Sequence, residues 1–237
     1  MGTVTGEPVI AAEAYARWRA SPLGSITERV ETKVVLALTG QLAGMRLLDV
    51  GTGDGTYAIE AASRGAIVTA LDSSQSMLDA ARRRAAERGL SVTFRRGRAE
   101  ALPFEDGSFD VVLGITVLCF VLEALPAVRE MARVLAPGGR LVLGELGRHS
   151  VWAAERHLRG WLGAQAWRHA RFWSRRELAL LVEGAGLRVA EVRGSVFFPP
   201  SQLAARAMAR LEPFLTRVRA PGAAFLALAA DKPEKAS

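Results

Sequence analysis

The stretch "LLDVGTGDGTYAIEAASRGAIVTALD", Leu47 to Asp72, joins an apolar run, a glycine cluster, a helical pattern and a second apolar run that ends on a carboxylate. Strand, glycine turn and helix N-terminus in that order commit the chain to a βαβ unit with parallel strands. The turn offers a concave patch of backbone N–H groups, and the bare Cα atoms of Gly51, Gly53 and Gly55 let a ligand approach the main chain. Asp72 closes the second run, where a carboxylate accepts hydrogen bonds from both ribose hydroxyls of an adenosine. Together these features read as an adenosine cofactor at the carboxyl edge of a parallel sheet.

The rest of the chain repeats the rhythm. Strand-like runs fall at 46–50, 66–71, 91–95, 109–114, 140–145, 187–192 and 224–229. Helical patterns separate the early ones, including "SQSMLDAARRRAAERG", capped by Ser73 or Ser74 and stopped by Gly89. The expected fold is therefore α/β, an open three-layer sandwich with a mostly parallel sheet. The last two strands break the rhythm, because the helical segment 201–211 between them sits beside Pro199-Pro200 and Pro221-Gly222. Residues 1–40 read as helices with a break at Ser21-Pro22-Leu23-Gly24.

Composition narrows the partners. With 237 residues, half of them hydrophobic, the chain suits one well-buried domain. No segment approaches the ~20 apolar residues of a membrane span, and the first residues lack a secretory signal pattern. A single cysteine, Cys119, excludes an internal disulfide and fits a reducing compartment, so the cytoplasm is the expected location. Net charge is +7, and residues 148–176 carry seven arginines against the one acid Glu155. The remainder is near neutral, so nucleic acid is not an expected partner. The same insert holds all three histidines and four of the five tryptophans.

A dinucleotide turn would read G-x-G-x-x-G, but Thr56 stands at the third glycine and Asp54 lies inside the turn. A nicotinamide or flavin site and a purely structural turn remain the alternatives. The chain resembles the class I S-adenosylmethionine-dependent methyltransferases, specifically their small-molecule, type 11-like members. Asp49, Gly51, Gly53 and Gly55 match D-x-G-x-G-x-G. "DSSQSML", "RAEALPFEDGSFDVV" (98–112) and "MARVLAPGGRLVLGEL" (131–146) follow in order, and "AYARWRASPLGSITERVE" resembles the lead-in of some members.

The resemblance implies a Rossmann-like, seven-stranded sheet with its last strand antiparallel, plus a helical cap. It divides one domain, 1–237, into a helical lid (1–44), a cofactor-binding core (45–146) and substrate-cap insertions (147–186 and 195–220). By resemblance Asp49 orders the glycine loop and helps engage the ligand's amino group, while Gly51, Thr52, Gly53 and Gly55 give it backbone access. Asp72 holds the ribose, Ser73 and Met77 flank the adenine, Ala99 offers its N–H to the ring, and Thr116 lies beneath the methionine half. Arg98 departs from the family's acid at this place, which leaves Glu100 or backbone contacts to serve the adenine amino group.

Methyl transfer from a sulfonium is an in-line displacement, to which positioning alone contributes about 7–11 kcal/mol. A base is needed only for a protonated nucleophile; Tyr15, His149 and His169 are the candidates, with S-adenosylhomocysteine as the product. Tyr15, Trp18, Phe120, Trp152, Trp161, Trp167, Trp173, Phe197 and Phe198 supply an aromatic lining for a small substrate. No metal is expected, because the spacing of His149, His157 and His169 lacks ligand geometry. Cys119 reads as an inert buried thiol. In "VWAAERHLRGWL", Val151, Ala154, Leu158, Trp161 and Leu162 share one helical face, with Arg156 and Arg159 away from it. That segment suits either a solvated basic cap or peripheral contact with an anionic membrane through 148–176. Two function classes stay open: a small-molecule methyltransferase, including one for membrane-borne quinones or phospholipids, and a non-catalytic S-adenosylmethionine-binding protein.

Overall fold

Strand β1 (Arg46–Val50) is buried from Leu47 onward, as an unbroken apolar run covered on both faces must be. The computed structural model describes residues 12–164, 167 and 170–234. In it β1 pairs in parallel with β2 (Ile67–Asp72) and β4 (Phe109–Ile115). Outward from these, β2 carries β3 (Thr93–Arg96) and β4 carries β5 (Leu135–Leu146), both parallel. The last strand, β7 (Phe225–Asp231), runs antiparallel between β5 and the edge strand β6 (Arg188–Ser195). The order is β3-β2-β1-β4-β5-β7-β6. All seven expected strands are present, and the last is antiparallel.

Helices cover both faces. On one, α2 (Pro22–Thr39) and α3 (Thr56–Ala62) bury Val35, Leu36, Leu38, Ala58 and Ala61 against Leu47, Val68 and Leu113. On the other, α5 (Ala124–Val134) and α7 (Arg175–Glu183) pack Val128, Met131, Leu178 and Val182 against Val112, Leu141 and Leu228. Helix α4 (Gln75–Glu87) is capped by Ser74, whose hydroxyl accepts from the Met77 N–H.

The expected break at 21–24 contracts to Ser21 alone. Its hydroxyl caps α2 by accepting from the Gly24 N–H at 3.1 Å, and Pro22 opens the helix where a missing N–H costs nothing. A Cβ on Gly24 would stand 2.0 Å from the Trp18 carbonyl oxygen, so glycine is what lets α1 (Ala12–Ala20) turn sharply into α2. Helix α2 is thus built into the core, and α1 packs beside it.

Between β6 and β7 the chain forms α8 (Gln202–Met208) and α9 (Glu212–Arg217). The buried Glu212 carboxylate accepts from the N–H groups of Val196 (2.9 Å) and Phe197 (2.8 Å), fixing the turn in which Val196 takes φ +57°. Helix α6 (Val151–Trp161), capped by Ser150, follows β5 and spans the carboxyl edge of β4 and β5.

Candidate active site

The glycine loop hangs from the strand beside it. Gly51 and Thr52 both donate their N–H to the Leu71 carbonyl, at 2.8 and 3.0 Å. Gly51 takes φ +71°, and a Cβ there would lie 2.6 Å from Val117 in the neighbouring loop. Asp72 reaches into the loop from β2. One carboxylate oxygen accepts the Gly53 N–H (2.8 Å) and the other the Ser74 N–H (2.9 Å), which ties the loop to the start of α4. Burial raises the Asp72 pKa while these bonds oppose the rise. Asp49 is fully enclosed, accepts from the Thr52 hydroxyl at 2.6 Å, and is pushed up to about 6 by desolvation. Ser73 is exposed, Met77 and Ala99 are buried, and Arg98 turns outward to pair with Glu100 at 3.0 Å.

At the end of β4, Thr116 adopts φ +52°, a sparsely populated conformation for a β-branched residue. It is held there because its N–H donates to the Gly144 carbonyl and its own carbonyl accepts from the Cys119 thiol at 3.1 Å. Behind it, the fully buried Glu145 accepts from the Leu118 N–H, while its second oxygen has no partner among the described residues. Desolvation pushes this carboxyl up to about 8.

Two features that carried no role in the sequence reading organise the space above the loop. Asp54, buried in the turn, is gripped by Arg19 from α1 and by Arg84 from α4 (2.9 Å), and Thr56 bonds both Asp54 and Glu28. This clasp lays α1 over the glycine loop. Tyr15 and Trp18 of α1 stack at 5.8 Å, with the Arg19 guanidinium over the Tyr15 ring. Near them lie Tyr57 of α3 and Glu31 of α2; burial first, then the Glu31 charge, raises both tyrosines, with Asp54 ahead of Glu31 at Tyr15. Burial holds Glu31 up at about 8, opposed by Arg156 of α6. Tyr15 is driven well above its ordinary value, first by burial and then by Asp54, Glu31 and Glu28. Its hydroxyl therefore stays protonated near neutral pH.

A model of a methyltransferase domain matches residues 48–143, the span from β1 through most of β5. A methyltransferase from Thermotoga maritima, described as a possible histamine N-methyltransferase, superposes with a TM-score of 0.72 at 26% identity, over 93% of this chain and 95% of that one. The chain belongs to the class I S-adenosylmethionine-dependent methyltransferases. A ubiquinone biosynthesis O-methyltransferase from Methylocella silvestris is 38% identical over 166 residues, 67% of this chain and 64% of that protein. This chain thus spans somewhat under two thirds of that relative's length. The cyclase SpnF shares the fold as well, with a TM-score of 0.64 and 27% identity over 86% of this chain and 80% of that one.

The loop fits this methyltransferase family's cofactor. A Cβ on Gly53 would meet no atom within 4 Å, so the space over that residue is open to a ligand. The Asp72 oxygens each keep lone pairs for hydroxyl donors.

The acceptor side differs from expectation in several places. His149 is exposed in the turn before the Ser150 cap, and His169 lies outside the described residues. Trp161 is 82% exposed. Its helix is turned over: Trp152, Ala153 and Gly160 face inward, and Val151, Leu158, Trp161 and Leu162 face out. The physical reason is that small Ala153 and Gly160 permit close packing, while Arg156 stacks inward on Trp152 and Trp167. Trp173 is a core residue packed with Leu178 and Val182, and Phe198 is buried, its carbonyl accepting from the Trp152 indole N–H. Phe197 packs against the core on the α7 side, and Phe120 beside Cys119. Tyr15 and Trp18 stack on α1, and Trp152 and Trp167 flank Arg156. Among the described residues, no group of three histidine, cysteine or acidic side chains could hold a metal, and no helix is long and apolar enough to cross a membrane. The charge of Glu31 acts on Tyr15, Tyr57 and Arg156.

Proposed function

We propose that this protein methylates a small acceptor with an aromatic or apolar body, in the cytoplasm. One observation carries the reading. The Arg19–Asp54–Arg84 clasp lays α1, with its stacked Tyr15 and Trp18, over the glycine loop, and the charge of Glu31 reaches both Tyr15 and Tyr57. When bound, S-adenosylmethionine supplies an electrophilic methyl on a sulfonium. Asp72 and the glycine-loop amides would hold its adenosine and methionine ends, and Asp49 would keep the loop in shape. The stacked rings of α1 exclude water, and the Tyr15 hydroxyl donates to the acceptor oxygen or nitrogen and fixes its approach. Glu31 is the group suited to accept the acceptor's proton, because a base near pKa 8 is matched to a phenol or an ammonium. The test is to incubate the protein and S-adenosylmethionine with phenols, quinols, amines and thiols, and to assay S-adenosylhomocysteine. Product with at least one class is expected; bound cofactor with no turnover would leave the fold in a binding or SpnF-like role.

A second reading, a membrane-borne acceptor such as a quinone, is favoured by the outer face of α6. Val151, Leu158, Trp161 and Leu162 are all more than half exposed there, with Arg159 beside them. Anionic vesicles should then carry the protein in flotation, and Trp161→Ala should abolish that; neutral vesicles should not.

A further inference from the structure

Arg156 lies one turn past Trp152 on the inward face of α6. Its guanidinium carbon is 5.1 Å from the Trp152 ring centroid and 4.7 Å from that of Trp167, so two indoles hold the cation. Contact with ring faces fixes the guanidinium plane and leaves its N–H donors pointing outward along the edge. Other partly buried arginines of this fold use those donors. Arg19 and Arg84 bond Asp54, Arg133 bonds Glu130 and two carbonyls, and Arg148 bonds Glu177. Arg156 has no carboxylate at ion-pair distance and no hydrogen-bond acceptor among the described residues.

Three groups contribute favourable charge at Arg156, and none supplies a settled counter-ion. Glu31 is held largely protonated near neutral pH, and the Cys119 thiol is raised well above its ordinary value. Glu155 is committed to Arg159 at 2.6 Å. A cation withdrawn from water with no partner is costly to keep. The site is also well placed for an acceptor. Ala153, on the preceding turn, packs against Cys119 and Leu146 at the ends of β4 and β5, and Cys119 bonds the Thr116 carbonyl.

We propose that Arg156 is a specificity-determining residue that receives a carboxylate on the methyl acceptor, making the acceptor class an aromatic acid. The planar fork of the guanidinium matches a carboxylate in two parallel hydrogen bonds, and the half-buried Trp167 beside it keeps part of its ring for the acceptor's ring. This deepens the methyltransferase reading above and rests on it.

The experiment is calorimetric titration of the S-adenosylhomocysteine-loaded protein with matched acids and amides. The pairs are benzoate and benzamide, phenylacetate and its amide, 3-phenylpropionate and its amide, and indole-3-acetate and its amide. In at least one pair the acid should bind about tenfold more tightly, the scale of a charge-assisted pair. Arg156→Gln should cut that preference to about threefold or less while S-adenosylhomocysteine affinity is kept, and Arg156→Lys should keep part of it. No pair favouring the acid, or a preference that survives Arg156→Gln, overturns the proposal. Should Arg156→Gln fail to fold, equal preference in the wild type and Arg156→Lys overturns it, since lysine lacks the fork. Failure of the wild type to load S-adenosylhomocysteine would instead contradict the methyltransferase reading, and shows at the first titration.

Discussion

The Asp72 carboxylate organises the loop by accepting from Gly53 and Ser74, and in the proposed function it would present the same oxygens to a ribose. Asp72→Ala should therefore lower S-adenosylhomocysteine affinity by roughly ten- to hundredfold, about 1.5–3 kcal/mol, in a calorimetric titration. Glu31 makes a different kind of claim. If it takes the acceptor's proton, turnover falls as pH drops through about 8 and the carboxyl becomes protonated. In Glu31→Gln the residual rate should lose that limb; a profile unchanged from wild type would exclude Glu31 as the base. Asp72 was legible because it ends an apolar run after a glycine turn. Glu31 was not, because one glutamate in an amphipathic helix looks like any solvated residue until another element is laid over it. Tyr15 was singled out from the sequence, but the rise of its pKa comes from burial and then from Asp54, Glu31 and Glu28, which only the folded chain brings near.

The same division holds for whole elements. Apolar runs identified the inner strands β1, β2, β4 and β5, since a parallel strand covered on both faces has little freedom in composition; the edge strands β3 and β6 are mostly exposed or half-buried and were found by their place in the rhythm. Helix α6 shows where that logic fails. Its apolar residues mark one face, yet the face that packs inward carries Trp152, Ala153, Arg156 and Gly160, chosen by closeness of approach and ring stacking. Helix α1 depends on charge instead, through Asp54 between Arg19 and Arg84. Removing the acid leaves two arginines facing each other in a partly buried place. Asp54→Ala should cost about 3 kcal/mol in urea unfolding, the scale of breaking such a pair, and should expose α1 to limited proteolysis. Unchanged stability would show that α1 is held by its packing and not by this clasp.

Across the molecule, Asp49, Glu31 and Glu145 are all raised by burial. Each keeps its proton in the folded chain at pH values where the unfolded chain has lost it. Their contribution to stability is thus complete below the ordinary carboxylate range and is lost as pH rises to about 8. Melting temperature should fall across that window, and Glu145→Gln should flatten the fall, because glutamine stays neutral and keeps the bond from Leu118. A slope identical to wild type would contradict the burial-driven shift. At this scale the mostly parallel sheet was readable from short-range pattern, and its antiparallel last strand from the resemblance; the strand order was not part of that reading. The surroundings of Glu31 were not readable, since Tyr15, Tyr57 and Arg156 reach it from distant parts of the chain.

One measurement bears most directly on the central claim: mass-spectrometric detection of S-adenosylhomocysteine and methylated acceptor, formed from S-adenosylmethionine by the wild type and by Asp72→Ala. The account predicts equal amounts of the two products with the wild type and a large loss with Asp72→Ala at low cofactor concentration. Cofactor bound by the wild type but no acceptor methylated, or turnover indifferent to Asp72, would contradict it.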